Sequence, residues 1–117
     1  MGAKTGLGEF EHLVLLAVLQ LDAQAYGPDI ARLLEDAAGR DVSRGALYSS
    51  LERLERKGLL RWKIDPSGKT VKGNAMRRFS VTARGLEALR VHREALLTLW
   101  SGLEETLAPE SGRGRRA

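Results

Sequence analysis

Residues 42–59 read Val42-Ser43-Arg44-Gly45-Ala46-Leu47-Tyr48-Ser49-Ser50-Leu51-Glu52-Arg53-Leu54-Glu55-Arg56-Lys57-Gly58-Leu59. Ser43 is a good N-cap, because its hydroxyl can accept from a free N–H in the first helical turn. Leu47, Leu51 and Leu54 recur at spacings of four and three and form one apolar stripe. Gly58 closes the helix. With the stripe turned inward, Gly45, Ser49, Glu52, Arg53 and Arg56 fall on the outer side and Tyr48 on a flank. The outer face of the first two turns is therefore small or hydroxylated. Such a face can approach another surface closely.

Upstream, Glu9–Leu21 reads as a helix. Phe10, Leu13 to Leu19 and Leu21 cover most of its circumference, so it should be buried on two sides, one of them against a partner subunit. Gly27-Pro28-Asp29 starts a second helix, since proline suits the first helical position and Asp29 complements the dipole. Ile30, Leu33, Leu34 and Ala37 give it a narrow stripe, and Gly39 ends it. Downstream, Leu60, Trp62 and Ile64 alternate with Arg61 and Lys63, which is strand periodicity. Asp65-Pro66-Ser67-Gly68 is a turn signal. Phe79 and Val81 then alternate with Arg78 and Ser80, so a hairpin with a long basic tip is predicted. Thr82 caps a last helix, predicted over residues 83–108. Its Leu86, Leu89, Leu96, Trp100, Leu103 and Leu107 keep one heptad register, interrupted by Arg93 and widened by Leu97 and Leu99.

The predicted fold class is mainly α with a small β-hairpin. A winged helix-turn-helix spans residues 7–82, a C-terminal dimerisation helix spans 83–108, and a Gly-, Ser- and Arg-rich tail over 109–117 is predicted to be disordered. The third helix would be the recognition helix and the hairpin the wing. Ser43, Arg44, Gly45, Tyr48 and Ser49 would face the major groove, with Arg53 further along the same outer side. Leu89, Leu96, Trp100 and Leu103 are the expected dimer contacts.

Charge supports a polyanionic partner. The 117 residues carry a net charge of +4. Residues 1–42 hold three basic and seven acidic side chains, residues 43–94 thirteen and five, and residues 95–117 three of each. The middle of the chain is thus strongly basic, and double-stranded DNA is the leading candidate partner. Other classes are excluded more firmly. There is no cysteine, so no disulfide framework and no cysteine zinc site. His12 and His92 are too few for a His-rich metal site. No cofactor is expected. No Ser-His-Asp spacing and no Gly-rich strand-to-helix loop supports an enzyme. Glu52, Glu55, Glu104 and Glu105 read as helix-surface carboxylates. No apolar run is long enough to cross a membrane, and the first residues lack a secretory apolar region, so a cytoplasmic protein is expected.

Five segments carry a resemblance to a known family. They are Leu13-Val14-Leu15-Leu16-Ala17-Val18-Leu19, Ala25-Tyr26-Gly27-Pro28-Asp29-Ile30, Val42-Ser43-Arg44-Gly45-Ala46-Leu47-Tyr48, the Leu51-to-Leu59 segment, and Arg77-Arg78-Phe79-Ser80-Val81-Thr82-Ala83-Arg84-Gly85. Together they resemble the PadR family of transcriptional regulators, over about Leu7 to Leu107. The resemblance implies a dimeric repressor that binds inverted repeats, with the last helix as dimer contact and small effectors relieving repression. It implies a DNA-reading role for Ser43, Arg44, Gly45, Tyr48 and Ser49, and a wing and phosphate role for Lys69, Lys72, Arg77 and Arg78. Three positions depart from the family pattern. Ala83 stands where proline is usual, Phe79-Ser80 replaces a Tyr-Tyr pair, and a tryptophan expected near Leu96 comes one turn later at Trp100.

The sequence is compatible with two other readings. One is a multidrug-type sensor with a pocket at the dimer interface. There Trp100 of each subunit, with Leu97 beside it and Arg93 at the rim, would hold a small, flat, anionic aromatic effector. The other is a winged-helix module used for protein contacts, against which the basic half of the chain argues.

Overall fold

The first helix, α1 (Glu9–Leu21), opens with Glu9 and Glu11 in its first turn, where the positive end of the dipole favours them. In the computed structural model, which describes residues 7–65, 70–71 and 73–109, Val14, Leu15 and Val18 of α1 are buried in the core. Leu16 and Leu19, on its other side, are 40% and 42% exposed, so only one of the two apolar sides is covered within the protomer. A 3₁₀ turn over Asp22–Gln24 leads to α2 (Gly27–Ala38), which starts with Pro28 in its first turn and ends at Gly39. α3 (Arg44–Arg56) is capped as predicted, with Ser43 Oγ accepting from the Ala46 N–H at 3.1 Å. Leu47, Leu51 and Leu54 are buried against α1 and α2, together with Ile30 and Leu34.

The hairpin follows at once. β1 (Leu60–Ile64), β2 (Thr70–Val71), β3 (Asn74–Ala75) and β4 (Arg77–Val81) run in sequence. β1 and β4 pair antiparallel from Leu60 opposite Val81 to Ile64 opposite Arg77, and β2 pairs with β3 nearer the tip. Asp65 N–H donates to the Met76 carbonyl at 2.9 Å and continues the ladder beyond β1. Sequence periodicity did not reveal a third pairing. Phe79 N–H donates to the Ala25 carbonyl at 2.9 Å, and Tyr26 forms an antiparallel bridge with Arg78. The extended residues before α2 thus lie along the free edge of β4. They join the wing to the helical layer.

α4 (Ala83–Trp100) starts from Thr82, whose Oγ1 accepts from Gly85 N–H at 3.0 Å and donates to the Gly58 carbonyl at 2.7 Å. Only Gly85, Ala88 and Leu89 of this helix are buried. It meets α1 at His12 and His92, whose ring centroids lie 4.2 Å apart. Burial, and then the neighbouring His92, holds the His12 imidazole below its usual pKa. The sequence predicts a helix over 83–108, and the structure corrects this: it stops at Trp100. The spacing of Leu103 and Leu107 continues the heptad, but Ser101 leaves helical geometry and Gly102 turns at φ 85°, a conformation glycine adopts without steric cost. Residues 104–107 form turns, held by Leu103 N–H on the Trp100 carbonyl at 2.9 Å and Leu107 N–H on the Leu103 carbonyl at 3.1 Å. The tail prediction falls mainly on residues 110–117, outside the described residues.

Candidate nucleic-acid interface

The outer face of α3 is open. Arg44, Gly45 and Ser49 are exposed, and nothing lies within 4 Å of where a Cβ on Gly45 would stand. Ser43 is exposed too, but its hydroxyl already accepts the capping hydrogen bond. Tyr48 behaves differently from the other four. It is half-buried and lies across the N-terminus of α2, so close to Gly27 that any side chain there would overlap the Tyr48 hydroxyl. Glycine at position 27 is what allows the two helices of the motif to seat this ring. The Arg44 guanidinium stands 5.9 Å from the Tyr48 ring centroid. Gly27, Pro28, Arg44, Tyr48, Ala75, Met76 and Arg77 together line a cleft of about 390 Å³ between the helix pair and the hairpin. Two guanidinium groups, a phenol and a helix N-terminus face this cleft, which suits an anionic backbone.

The hairpin divides its cations between two faces. Arg77 stacks on Trp62 at 4.6 Å from the ring centroid, and Trp62 Nε1 donates to Glu55 Oε1 of α3 at 3.2 Å. Arg77 is thereby held on the cleft side, with Trp62 as its support. Arg78, one residue on, points to the opposite face beside Lys63, its cross-strand partner. Arg77 and Arg78 therefore lie on opposite faces of the hairpin. Strand alternation alone carries the signal that separates them. Lys69 and Lys72, the other expected wing contacts, lie outside the described residues.

Two buried clusters fix these parts and were not visible in sequence. Glu11, only 5% exposed, accepts from Arg53 Nε at 2.7 Å, from Lys57 Nζ at 2.8 Å and from Gly8 N–H at 3.1 Å. Burial pushes its carboxyl up, but the hydrogen bonds from Lys57, Arg53 and Gly8 outweigh that and hold it below the usual carboxylate pKa. Arg53, expected on the DNA side, is turned back onto α1 and also donates to Ser50 Oγ at 3.2 Å. The second cluster is Tyr26, whose hydroxyl donates to Asp65 Oδ2 at 2.8 Å with both residues buried. The bond to Asp65, then burial, pushes the Tyr26 hydroxyl above its usual pKa. Tyr26 thus ties the start of α2 to the end of β1.

The sequence matches the transcriptional regulator PadR-like family over residues 15–91. The chain belongs to that family. A search of curated proteins found no match. Among solved structures, this PadR-like chain is similar to RosR of H. salinarum, at 26% identity and a TM-score of 0.65, covering 94% of this chain and 86% of that one. It is also similar to a PadR family transcriptional regulator from Eggerthella lenta DSM 2243, at 27% identity and a TM-score of 0.61, covering 87% and 88%. A PadR family transcription regulator from Clostridium difficile R20291 shares the fold at 19% identity and a TM-score of 0.65, covering 83% and 99%. The matched region takes in α3, the hairpin and the first half of α4, so the PadR-like core is the DNA-binding winged helix expected of a transcription regulator.

The PadR-like chain also carries an uncovered apolar face. Leu96, Leu97 and Trp100 of α4 are 39%, 52% and 49% exposed, and Leu103 just beyond it is 41% exposed. Leu89, expected as a dimer contact, is already buried within the protomer. Arg93, Leu97 and Trp100, the expected effector-pocket residues, do line one groove, together with Leu16 and Leu19 of α1. It measures about 620 Å³. Among the described residues, no helix is long and apolar enough to cross a membrane.

Proposed function

We propose that the protein is a homodimeric repressor that reads an inverted repeat with two copies of α3 and braces each with Arg77 of the hairpin. The observation that carries this reading is the cleft where Arg44 and Tyr48 of α3 face Arg77 beside an open, small-residue helix face. Small residues let the helix enter a groove, Arg44 can read a guanine edge, and Arg77 can hold phosphate across from it. The exposed apolar side chains of α4 and of the far side of α1 support a second copy as the partner, since a two-fold axis pairs such a face with itself. An inverted repeat follows from that symmetry.

Fluorescence anisotropy with the full chain and a labelled duplex tests it. If about six to ten phosphates are contacted per dimer, affinity falls about 10³- to 10⁵-fold between about 50 and 200 mM salt. Binding indifferent to salt would contradict the reading. A second reading, a small-molecule sensor, is favoured by the joint placement of Arg93, Leu97 and Trp100 in one apolar groove. It requires saturable quenching of Trp100 fluorescence by a planar aromatic anion.

A further inference from the structure

The two histidines are far apart in sequence, and the fold brings both to one point. His12 lies on α1 and His92 on α4, with ring centroids 4.2 Å apart and ring planes tilted by 55°. From Arg90 to Trp100, His92 is the one residue of α4 that is not exposed. The imidazole pair thus marks where the outer half of α4 rests against α1. Among the described residues neither ring has a hydrogen-bond or ion-pair partner. Each ring gives up part of its hydration here with no polar partner in return. No side-chain nitrogen among the described residues is both buried and unpaired, so the free ring nitrogens reach solvent. His92 opens on a depression of about 220 Å³ beside Val91 and Ala95, and His12 on the apolar groove beside Leu16.

We propose that His12 and His92 form a two-imidazole site for a late first-row divalent cation, Ni²⁺, Cu²⁺ or Zn²⁺, with water completing the coordination. Imidazole nitrogen is the ligand these ions favour. An ion about 2.0–2.1 Å from one nitrogen of each ring needs the two nitrogens about 3 Å apart, which rings in contact reach by side-chain rotation. A ligating histidine must be neutral. Burial, and then His92, holds the His12 imidazole below its usual pKa and so keeps its lone pair free near neutral pH. Of the two arginines that share the groove with His12, Arg90 is paired with Glu87 and Glu94, and Arg93 is exposed. No third metal-ligating side chain joins the pair among the described residues, so the site is open. A bound ion ties the otherwise exposed half of α4 to α1. It holds Leu97 and Trp100 in a fixed relation to Leu16 and Leu19 across the groove. The inference does not depend on the DNA-binding reading.

Proton NMR of the untagged, EDTA-treated full chain, titrated with Ni²⁺, tests it. The chain holds two histidines, so two imidazole Cε1–H signals report the site directly. Both should broaden together and to the same extent below one equivalent of Ni²⁺. Excess Mg²⁺, which takes oxygen ligands, should not reverse this. Calorimetry should give one ion per chain, and His12→Gln or His92→Gln should each weaken binding at least about ten-fold, the least that losing a partner of a metal site costs. Broadening of one signal without the other overturns the inference, as does no broadening. A folded His92→Gln variant that binds Ni²⁺ as wild type does overturns it too. Should either variant fail to fold, the wild-type spectra decide the matter alone.

Discussion

The Glu11 carboxylate, at the start of α1, accepts a hydrogen bond from Arg53 Nε of α3 at 2.7 Å, and this part-buried contact ties the first turn of α1 to the last turn of α3. Lys57 adds a second bond at 2.8 Å one turn later. Arg53 lies in the last turn of α3 and Lys57 is its C-cap, so both bonds hold the C-terminal end of that helix against α1.

Glu11→Gln should destabilise the fold by about 1.5–3 kcal/mol at neutral pH, the range for a hydrogen bond to a charged group. Its folded pKa lies below the ordinary value of 4.5, so the contribution is fully present above that value and is lost as pH falls through the folded one. Urea unfolding at several pH values checks this. The gap between wild type and Glu11→Gln should be constant near neutrality and should shrink below about pH 4.5.

Gly27→Ala should weaken DNA binding while leaving the fold intact. The new methyl group takes the place of the Tyr48 hydroxyl, and the ring must swing away from α2 toward the groove-facing side of α3. Affinity should drop by about 1–3 kcal/mol, the scale of a lost base contact. In a Tyr48→Ala background the same change should cost nothing further, and replacing glycine there should slightly stabilise the protein. A full additional loss in the double variant would mean that Gly27 acts through something other than Tyr48.

Trp62→Leu should act through Arg77. The leucine keeps apolar bulk but removes the ring on which the guanidinium rests at 4.6 Å. DNA affinity should fall by about 0.5–1 kcal/mol, the range for an exposed cation–π contact, with the salt slope unchanged. Arg77→Ala should flatten the slope by about one unit per lost contact. Adding Trp62→Leu to Arg77→Ala should then have no further effect on binding.

Leu97→Glu should separate the subunits without unfolding them. Leu97 is 52% exposed in the protomer, so the charge is placed in solvent there and in an apolar interface in the dimer. Sedimentation should show dimer dissociation strengthened by at least about thirty-fold, as for an interface hot spot. Unchanged sedimentation would place the interface elsewhere.

The parts of the fold legible in sequence were those with local causes. Ser43, the Gly27-Pro28 pair and Gly39 mark helix ends through their own backbone chemistry, and the structure places α2 and α3 between them. Alternation around Trp62 and Phe79 likewise locates β1 and β4. The hidden parts depend on residues far apart in the chain. Glu11 looks like an ordinary dipole-complementing acid until Arg53 and Lys57 are folded onto it. Tyr26 and Asp65 lie on opposite sides of the motif in sequence and share one buried hydrogen bond in space. Along α4, apolar spacing runs past the point where Ser101 and Gly102 break the backbone, because Leu103 and Leu107 keep the register after the helix has ended.

Selection of bound duplexes from a random DNA pool by the full chain tests the reading most directly. A two-fold dimer placing α3 in successive major grooves should enrich one inverted repeat, with half-site centres about one helical turn, or a multiple of it, apart. Arg44→Ala should relax the preference at one or two positions in each half. Enrichment of a direct repeat or an unrepeated motif, or no enrichment at all, would contradict it.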